Sequence, residues 1–283
     1  MSAPKKVLCV LTSVDKFPDD TPTGFDLAEV AHAYSRWTKA GLLIEFASVT
    51  GTAAVDPATV ELATTATDMV SLDFSRDEAL MAACSAPKKL ADVLADEEAP
   101  LTASYEAVYL AGGHGTVFDL PESEEVKTVI KSMFEAEKVV ASCGEGSVGL
   151  VNVDLSDGSK LLADKECTGQ TDEELAEGKK EAVEGAAGFA GTCEAAMGLA
   201  PEGYEGEFKY GGGVFTKAAA GEPHVACAGK LITGQNAAST DSLATTVRAR
   251  TDVPSHLRHS HPTHSHFQPR PGPLSPGRGA RQV

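Results

Sequence analysis

Between Lys138 and Val153 the sequence reads KVVASCGEGSVGLVNV: an apolar run, then Cys143, Gly144 and Glu145, then a second apolar run broken by glycines. These residue types can do chemistry where a buried strand turns sharply into a helix. A thiolate at such a turn gains from the partial positive charge of the helix N-terminus, which lowers a cysteine pKa. A carboxylate there gains from the same field. Ligands of open α/β sheets bind beyond the C-terminal ends of the strands, so two further segments can meet this turn. One is LAGGHGTVFDLP (110–121), where Gly112 and Gly113 leave backbone N–H groups free to face a ligand and His114 can donate a hydrogen bond. The other carries Glu29, early on the first predicted helix.

The elements that must position these residues follow from hydrophobic spacing. KKVLCVLTS (5–13) is a continuous apolar run of the kind a strand covered on both faces shows. GFDLAEVAHAYSRWTKAG (24–41) has Leu27, Val30, Ala31, Tyr34 and Trp37 at helical spacing and Gly41 as a stop. LLIEFASVT (42–50) returns to strand, which makes a βαβ unit and implies a parallel sheet. SYEAVYLAGGHG (104–115) predicts a strand and a glycine loop, SEEVKTVIKSMFEAE (123–137) a helix, and KVVAS a strand. Strands are also expected in 160–169 and 229–236, a closing helix over 241–250, and a loop over YGGGVF (210–215). This alternation predicts one α/β domain, a three-layer sandwich with a mostly parallel, flavodoxin-like sheet and helices on both faces, over residues 1–251.

The 283-residue chain has a net charge of −17. Four arginines against Asp252 give residues 252–283 a charge of +3, so the body carries −20. Such a surface repels phosphate backbones and argues against nucleic-acid binding. No apolar run approaches a membrane span, and MSAPKKVLCVLTS is too short and broken for a signal peptide. The six cysteines show no metal-ligand spacing, and the expectation is a reduced, soluble, cytoplasmic protein. Residues 252–283, rich in proline, histidine and arginine, are expected to be a disordered tail. Its HLRHSHPTHSH stretch offers imidazoles to a transition metal, although a biased, unselected extension is the reading the composition favours.

Five segments in order, TGFDLAEVAHAY, SVTGTAAVDPATVE, AGGHGTVFDLP, CTGQTDEE and PHVACAGKLITGQNAAS, resemble the chaperone–glyoxalase branch of the ThiJ/PfpI superfamily, over most of residues 5–247. The resemblance implies a glutamine-amidotransferase-like fold, a homodimer, no cofactor and no metal. Members of the branch are glutathione-independent glyoxalases that turn methylglyoxal, a small 2-oxoaldehyde, into D-lactate; some act as chaperones or protein deglycases. It also implies Glu29 as the base, Gly112 and Gly113 beside the oxyanion, and a turn cysteine as nucleophile followed by a histidine.

The turn departs from that pattern, whose usual form is close to VVAAVCHGPAALVN. Laid without a gap, VVASCGEGSVGLVN puts Gly144 on the nucleophile position, Glu145 on the histidine position and Gly146 on the small residue after it. Cys143 then falls one residue early, where one step along a strand moves a side chain to the opposite face. The competing alignment restores Cys143 as nucleophile but puts Glu145 where strand and helix approach closely and a small residue is required. Neither supplies the histidine. The expected site is therefore Glu29, Cys143 and Glu145 as catalytic candidates, with Gly112, Gly113, His114 and Gly144 against the substrate. The sequence leaves three functions open: a glyoxalase with activity weakened or lost at the turn, a non-enzymatic chaperone-like or ligand-binding member, or a redox sensor, which requires an exposed, low-pKa Cys143. His32, on the helix after Glu29, reads as a packing or solvent-facing residue, and Cys9, Cys84, Cys167, Cys193 and Cys227 as small core hydrophobes.

Overall fold

The structure, a computed structural model, describes residues 5–175, 191–200, 202 and 210–252. Beyond Asp252, the segment expected to be a disordered tail lies outside the described residues.

The first βαβ unit forms as its spacing predicts. Strand β1 (Lys6–Leu11) is buried from Val7 onward, and α1 (Leu27–Lys39) turns Leu27, Val30, Ala31 and Trp37 inward before β2 (Leu43–Ser48) pairs with β1 in parallel. Asp26 caps α1 by accepting from the Glu29 N–H at 3.0 Å, which satisfies one of the free donors of the first turn. Helices α2 (Pro57–Ala66), α3 (Met69–Arg76) and α4 (Glu78–Ser85) follow, then the edge strand β3 (Lys88–Lys89) and two short helices, α5 (Leu90–Ala95) and α6 (Leu101–Ser104). Strand β4 (Ala107–Leu110) feeds the glycine loop and α7 (Thr116–Asp119); α8 (Glu124–Glu135) then leads to β5 (Val139–Cys143). The small pair β6 (Glu166–Cys167) and β7 (Val214–Phe215) stands apart from the main sheet, which β8 (Val225–Ala228) and β9 (Leu231–Gly234) complete.

The seven-stranded sheet runs β3-β2-β1-β4-β5-β9-β8, parallel except where β8 meets β9. An apolar cluster lies on each face. Val7, Cys9, Leu11, Trp37, Tyr109, Cys143 and Ile232 belong to one, and Leu8, Val10, Ile130, Met133 and Val140 to the other. This alternation along β1 is what a strand buried on both sides requires. Trp37 meets Tyr109 edge-on at 5.2 Å, and its ring N–H donates to the Ala244 carbonyl at 3.0 Å, tying α1 to the last helix (Thr240–Asp252). The expected α/β sandwich with a mostly parallel sheet is therefore present. Among the described residues no helix is long and apolar enough to cross a membrane.

Three local expectations need correction. Of 160–169 only Glu166–Cys167 is strand, because residues from Lys160 to Lys165 fold into a bridge and turns. Val214–Phe215, expected as loop, pairs with β6; three glycines precede it but do not enter the strand. Cys227, expected in the core, is exposed, since β8 is an edge strand whose residues alternate toward solvent.

Candidate functional site

The chain leaves β5 extended at Cys143 (φ −136°, ψ 150°) and turns at Gly144, whose φ of +51° lies in the left-handed region that favours glycine. It then winds into a 3₁₀ helix, Gly144–Leu150, in place of an α-helix. Three glycines in seven residues make an α-helix costly there, whereas one 3₁₀ segment accommodates them. The close approach falls on Gly146, where a Cβ would come within 2.6 Å of the Leu110 carbonyl oxygen.

Glu29 points at the turn. Its Oε2 accepts the Gly112 N–H at 2.7 Å, and its side chain is 4% exposed. A Cβ built on Gly144 would lie 2.4 Å from Glu29 Oε1, so the glutamate carboxyl occupies the space a side chain at 144 would enter. A Cβ on Gly112 would meet Glu29 Oε2 at 2.6 Å and the Cys143 carbonyl oxygen at 2.9 Å, which is why the loop and the turn can touch only with glycine at 112. The Gly112 N–H expected to face a ligand thus holds Glu29, and Gly113 packs against Gly24 and Asp26. The Asp26 N–H closes this junction by donating to the Gly112 carbonyl at 2.8 Å.

Cys143 is fully buried among Ile232, Leu243 and Ala244. Its thiol donates to the Asn236 carbonyl at 3.1 Å and lies 3.7 Å from Thr240 Oγ1. Burial pushes the thiol well above its ordinary pKa, and the Glu29 carboxylate adds to the effect. The thiol is also within hydrogen-bond reach of the Glu29 carboxyl, so it is a buried, un-ionised cysteine beside the candidate base.

Glu145 and His114, predicted separately, come together. Glu145 is 2% exposed, and its Oε2 lies 2.6 Å from His114 Nδ1, an ion pair whenever the imidazole is protonated. Its other oxygen, Oε1, is buried without a hydrogen-bond partner among the described residues. Phe17 braces the imidazole, with ring centroids 5.9 Å apart. Burial raises the Glu29 carboxyl well above the usual range; Asp26 and Glu145 push it further, against the Gly112 N–H bond. Asp26 is raised as well, first by burial. The site is therefore a set of carboxyl groups packed around a residue without a side chain. The arrangement can hold one carboxyl protonated beside another that is ionised, the pattern of an acid–base pair.

Sequence reasoning missed two neighbours. Cys193, which opens the short helix Cys193–Met197, is buried with its sulfur 3.7 Å from the Gly144 carbonyl oxygen. Asp119 accepts from Thr12 Oγ1 and from the Ser13 N–H at 2.7 Å, tying α7 to the end of β1. An aspartate two positions before Pro121, in the FDLP that ends 110–121, was the available signal for it. His32 places both ring nitrogens against carboxylates, Nε2 3.0 Å from Asp68 and Nδ1 3.4 Å from Asp241, and links α1 to α3 and the last helix. Among the described residues no group of three His, Cys, Asp or Glu side chains could hold a metal ion.

No family model matches this chain. The glutathione-independent glyoxalase HSP31 of Saccharomyces cerevisiae is 30% identical over 179 residues, 60% of this chain and 70% of the relative. Glyoxalase 3 of Candida albicans is 28% identical over 171 residues, 59% and 69% of the two chains. The protein/nucleic acid deglycase HchA of Escherichia coli matches at 42% identity, over 60 residues and a fifth of its own length. Among solved structures, the Rapid Encystment Protein 24 KDa of Francisella tularensis superposes with a TM-score of 0.70 at 24% identity, covering 87% of this chain and 99% of that one. Glyoxalase III of Candida albicans gives 0.65 at 21% identity, with 87% and 97% covered. Both share the fold. With the ordered motifs, the glyoxalase relatives and the Glu29–Gly112–Gly144 junction taken together, this chain belongs to the ThiJ/PfpI superfamily, in the branch of the glutathione-independent glyoxalases.

Proposed function

We propose that this protein is a glyoxalase-like lyase acting on small 2-oxoaldehydes such as methylglyoxal, with turnover reduced by the absence of a side chain at Gly144. The observation that carries the reading is the buried Glu29 carboxyl lodged against the turn, 2.4 Å from where a Cβ on Gly144 would stand. A glyoxalase must move a proton between the two carbonyl carbons, and a carboxyl with a raised pKa in an apolar site suits that step. In the relatives' chemistry implied by the sequence, a thiol first adds to the aldehyde. Here the thiol of Cys143 is bonded to the Asn236 carbonyl within the core, and water has to make the adduct instead. A free hydrate is a poorer start than an enzyme-bound hemithioacetal, because it lacks the positioning that covalent attachment supplies.

The alternative, a non-enzymatic chaperone-like member, would draw on a broad apolar surface. The exposed large apolar side chains among the described residues, Leu43, Leu62, Met69, Leu199 and Val214, come from five separate segments. The test is D-lactate formation from methylglyoxal by purified protein, with Glu29→Gln alongside. Slow turnover lost in Glu29→Gln supports the enzyme. No D-lactate at any protein concentration overturns it, and turnover abolished by Cys143→Ser would return the nucleophile to Cys143.

A further inference from the structure

The oddity of this site is Glu145. It is 2% exposed, one oxygen is held 2.6 Å from His114 Nδ1, and the other has no hydrogen-bond partner among the described residues. A buried carboxylate oxygen left unpaired costs free energy, and such an oxygen is free to accept a proton or a hydrogen bond from a bound molecule. Across Gly144 lies the Glu29 carboxyl, 4% exposed, with Oε2 fixed by the Gly112 N–H and Oε1 toward the turn. Two carboxyl groups thus flank a residue with no side chain, and the two sense each other electrostatically.

The chemistry open to this pair depends on where a substrate keeps its hydrogen. A 2-oxoaldehyde has no sp³ C–H on either carbonyl carbon until something has added to its aldehyde. A 2-hydroxyaldehyde or 2-hydroxyketone carries such a hydrogen already, next to a carbonyl. It needs only a base for the carbon and an acid for the oxygen. We infer that this site catalyses thiol-free enolisation and isomerisation of small 2-hydroxycarbonyl compounds, with Glu145 as the base on carbon, Glu29 as the acid on oxygen and His114 positioning Glu145. The inference rests on the reading that the Gly144 turn is the reaction site.

The step balances without a co-reactant. Glu145 Oε1 takes the proton from the carbon bearing the hydroxyl, the electrons of that C–H bond form the carbon–carbon double bond, and the carbonyl oxygen takes the Glu29 proton, giving an enediol. Glu145 then returns its proton to the former carbonyl carbon while the other hydroxyl returns one to Glu29. The carbonyl has moved by one carbon, and both carboxyls are restored. No thiol is used, which accounts for a turn that keeps a left-handed backbone at residue 144 while carrying Gly144 and Glu145 in place of a cysteine and a histidine.

The experiment is NMR in D₂O with dihydroxyacetone as probe, following deuterium incorporation on carbon and the appearance of glyceraldehyde. Incorporation above the buffer rate is expected, with a loss of about 100-fold or more in Glu145→Gln, the size of a general-base contribution. His114→Gln, which leaves the carboxylate but not its orientation, is expected to lose rate while keeping the probe's KM. Circular dichroism checks each variant; if Glu145→Gln does not fold, Glu29→Gln is judged on the same criterion. Incorporation no faster than buffer, or unchanged in a folded Glu145→Gln or Glu29→Gln variant, overturns the inference. D-lactate from methylglyoxal is measured on the same preparations. Lactate without exchange overturns the inference and leaves the glyoxalase reading standing; exchange without lactate does the reverse; neither overturns both.

Discussion

Two glutamates, one on β2 and one on α1, have opposite surroundings. Glu45, on β2, receives Lys6 Nζ at 2.6 Å, Lys88 Nζ at 2.5 Å and the Tyr105 hydroxyl at 2.7 Å. Burial alone would raise its pKa, but those three bonds pull it down to about 2. Glu29, on α1, has one backbone donor, Gly112, and a thiol donor, Cys143, and its charged neighbours are Asp26 and Glu145. Burial raises it, and both neighbours raise it further. The first carboxylate is compensated and acts as a fastener between strands. The second is left uncompensated in the fold, an arrangement that costs stability and is kept where a proton has to be held or moved.

The sharpest way to break this contrast is Glu29→Gln. Turnover is expected to fall by about 10²- to 10⁴-fold, the range of a lost general acid or base. Stability should move the other way. Because the folded pKa of Glu29 is raised, its contribution is fully present below the unfolded carboxyl value and is lost as pH rises toward the folded one. Glu29→Gln removes a slope of up to about −1.4 kcal/mol per pH unit above roughly pH 4.5, so urea titrations of wild type and variant should diverge as pH rises. Parallel curves would mean that Glu29 is not protonated in the fold.

How much of this was legible beforehand differs between the two residues. The βαβ unit, the glycine loop and the strand ending at Cys143 follow from apolar spacing, because buried parallel strands must be apolar on both faces. The count across the turn already put Gly144 and Glu145 on the two unusual positions, and Glu29 was marked by its motif. What spacing cannot encode is the meeting of His114 with Glu145, since it depends on the rotation of two loops about one glycine. The Glu45 fastener was invisible for a related reason. Its partners come from β1, β3 and the residue after α6, joined only by the strand order. The 3₁₀ turn in place of an α-helix is a matter of local backbone energy, which three glycines in Gly144–Leu150 decide.

Asp119 tests whether uncompensated carboxyls are general at this end of the sheet. Burial outweighs its bonds from Ser13 and Thr12 and brings its pKa up to about 7. Its stabilising contribution is therefore complete below roughly pH 4 and is lost as pH rises to about 7. Because the side chain is partly exposed, the span is on the order of 2 kcal/mol, and Asp119→Asn should flatten the stability profile over that window. A profile unchanged by Asp119→Asn would confine the effect to Glu29.

Gly144→Cys sharpens the comparison from the turn itself. It restores a thiol where φ is +51°, at a strain of about 1–3 kcal/mol, and requires the Glu29 carboxyl to swing aside. D-lactate formation is expected to rise roughly tenfold or more, about 1.4 kcal/mol of barrier, while the melting temperature falls. A variant that folds with no gain would show that Glu29 cannot leave the space and that the acid–base pair has displaced thiol chemistry from this site.

The smallest effect belongs to Glu45→Gln. A shift from 4.5 to about 2 would suggest a large stabilisation if taken at face value, but the Glu45 side chain is 23% exposed and Lys88 is 55% exposed, so solvent screens the cluster. A loss of about 1 kcal/mol at pH 7 is expected from urea titration. The sign is opposite to that of Glu29: a depressed folded pKa gives stability that is present above the unfolded value and is lost as pH falls toward about 2. Wild type and Glu45→Gln should therefore converge in acid, where wild type and Glu29→Gln also converge, and separate in opposite directions at neutral pH. If Glu45→Gln instead cost about 3–5 kcal/mol, the cluster would be behaving as a buried ion pair with one partner removed. The two glutamates would then differ in the sign of their neighbours' charge alone, with no contribution from access to water.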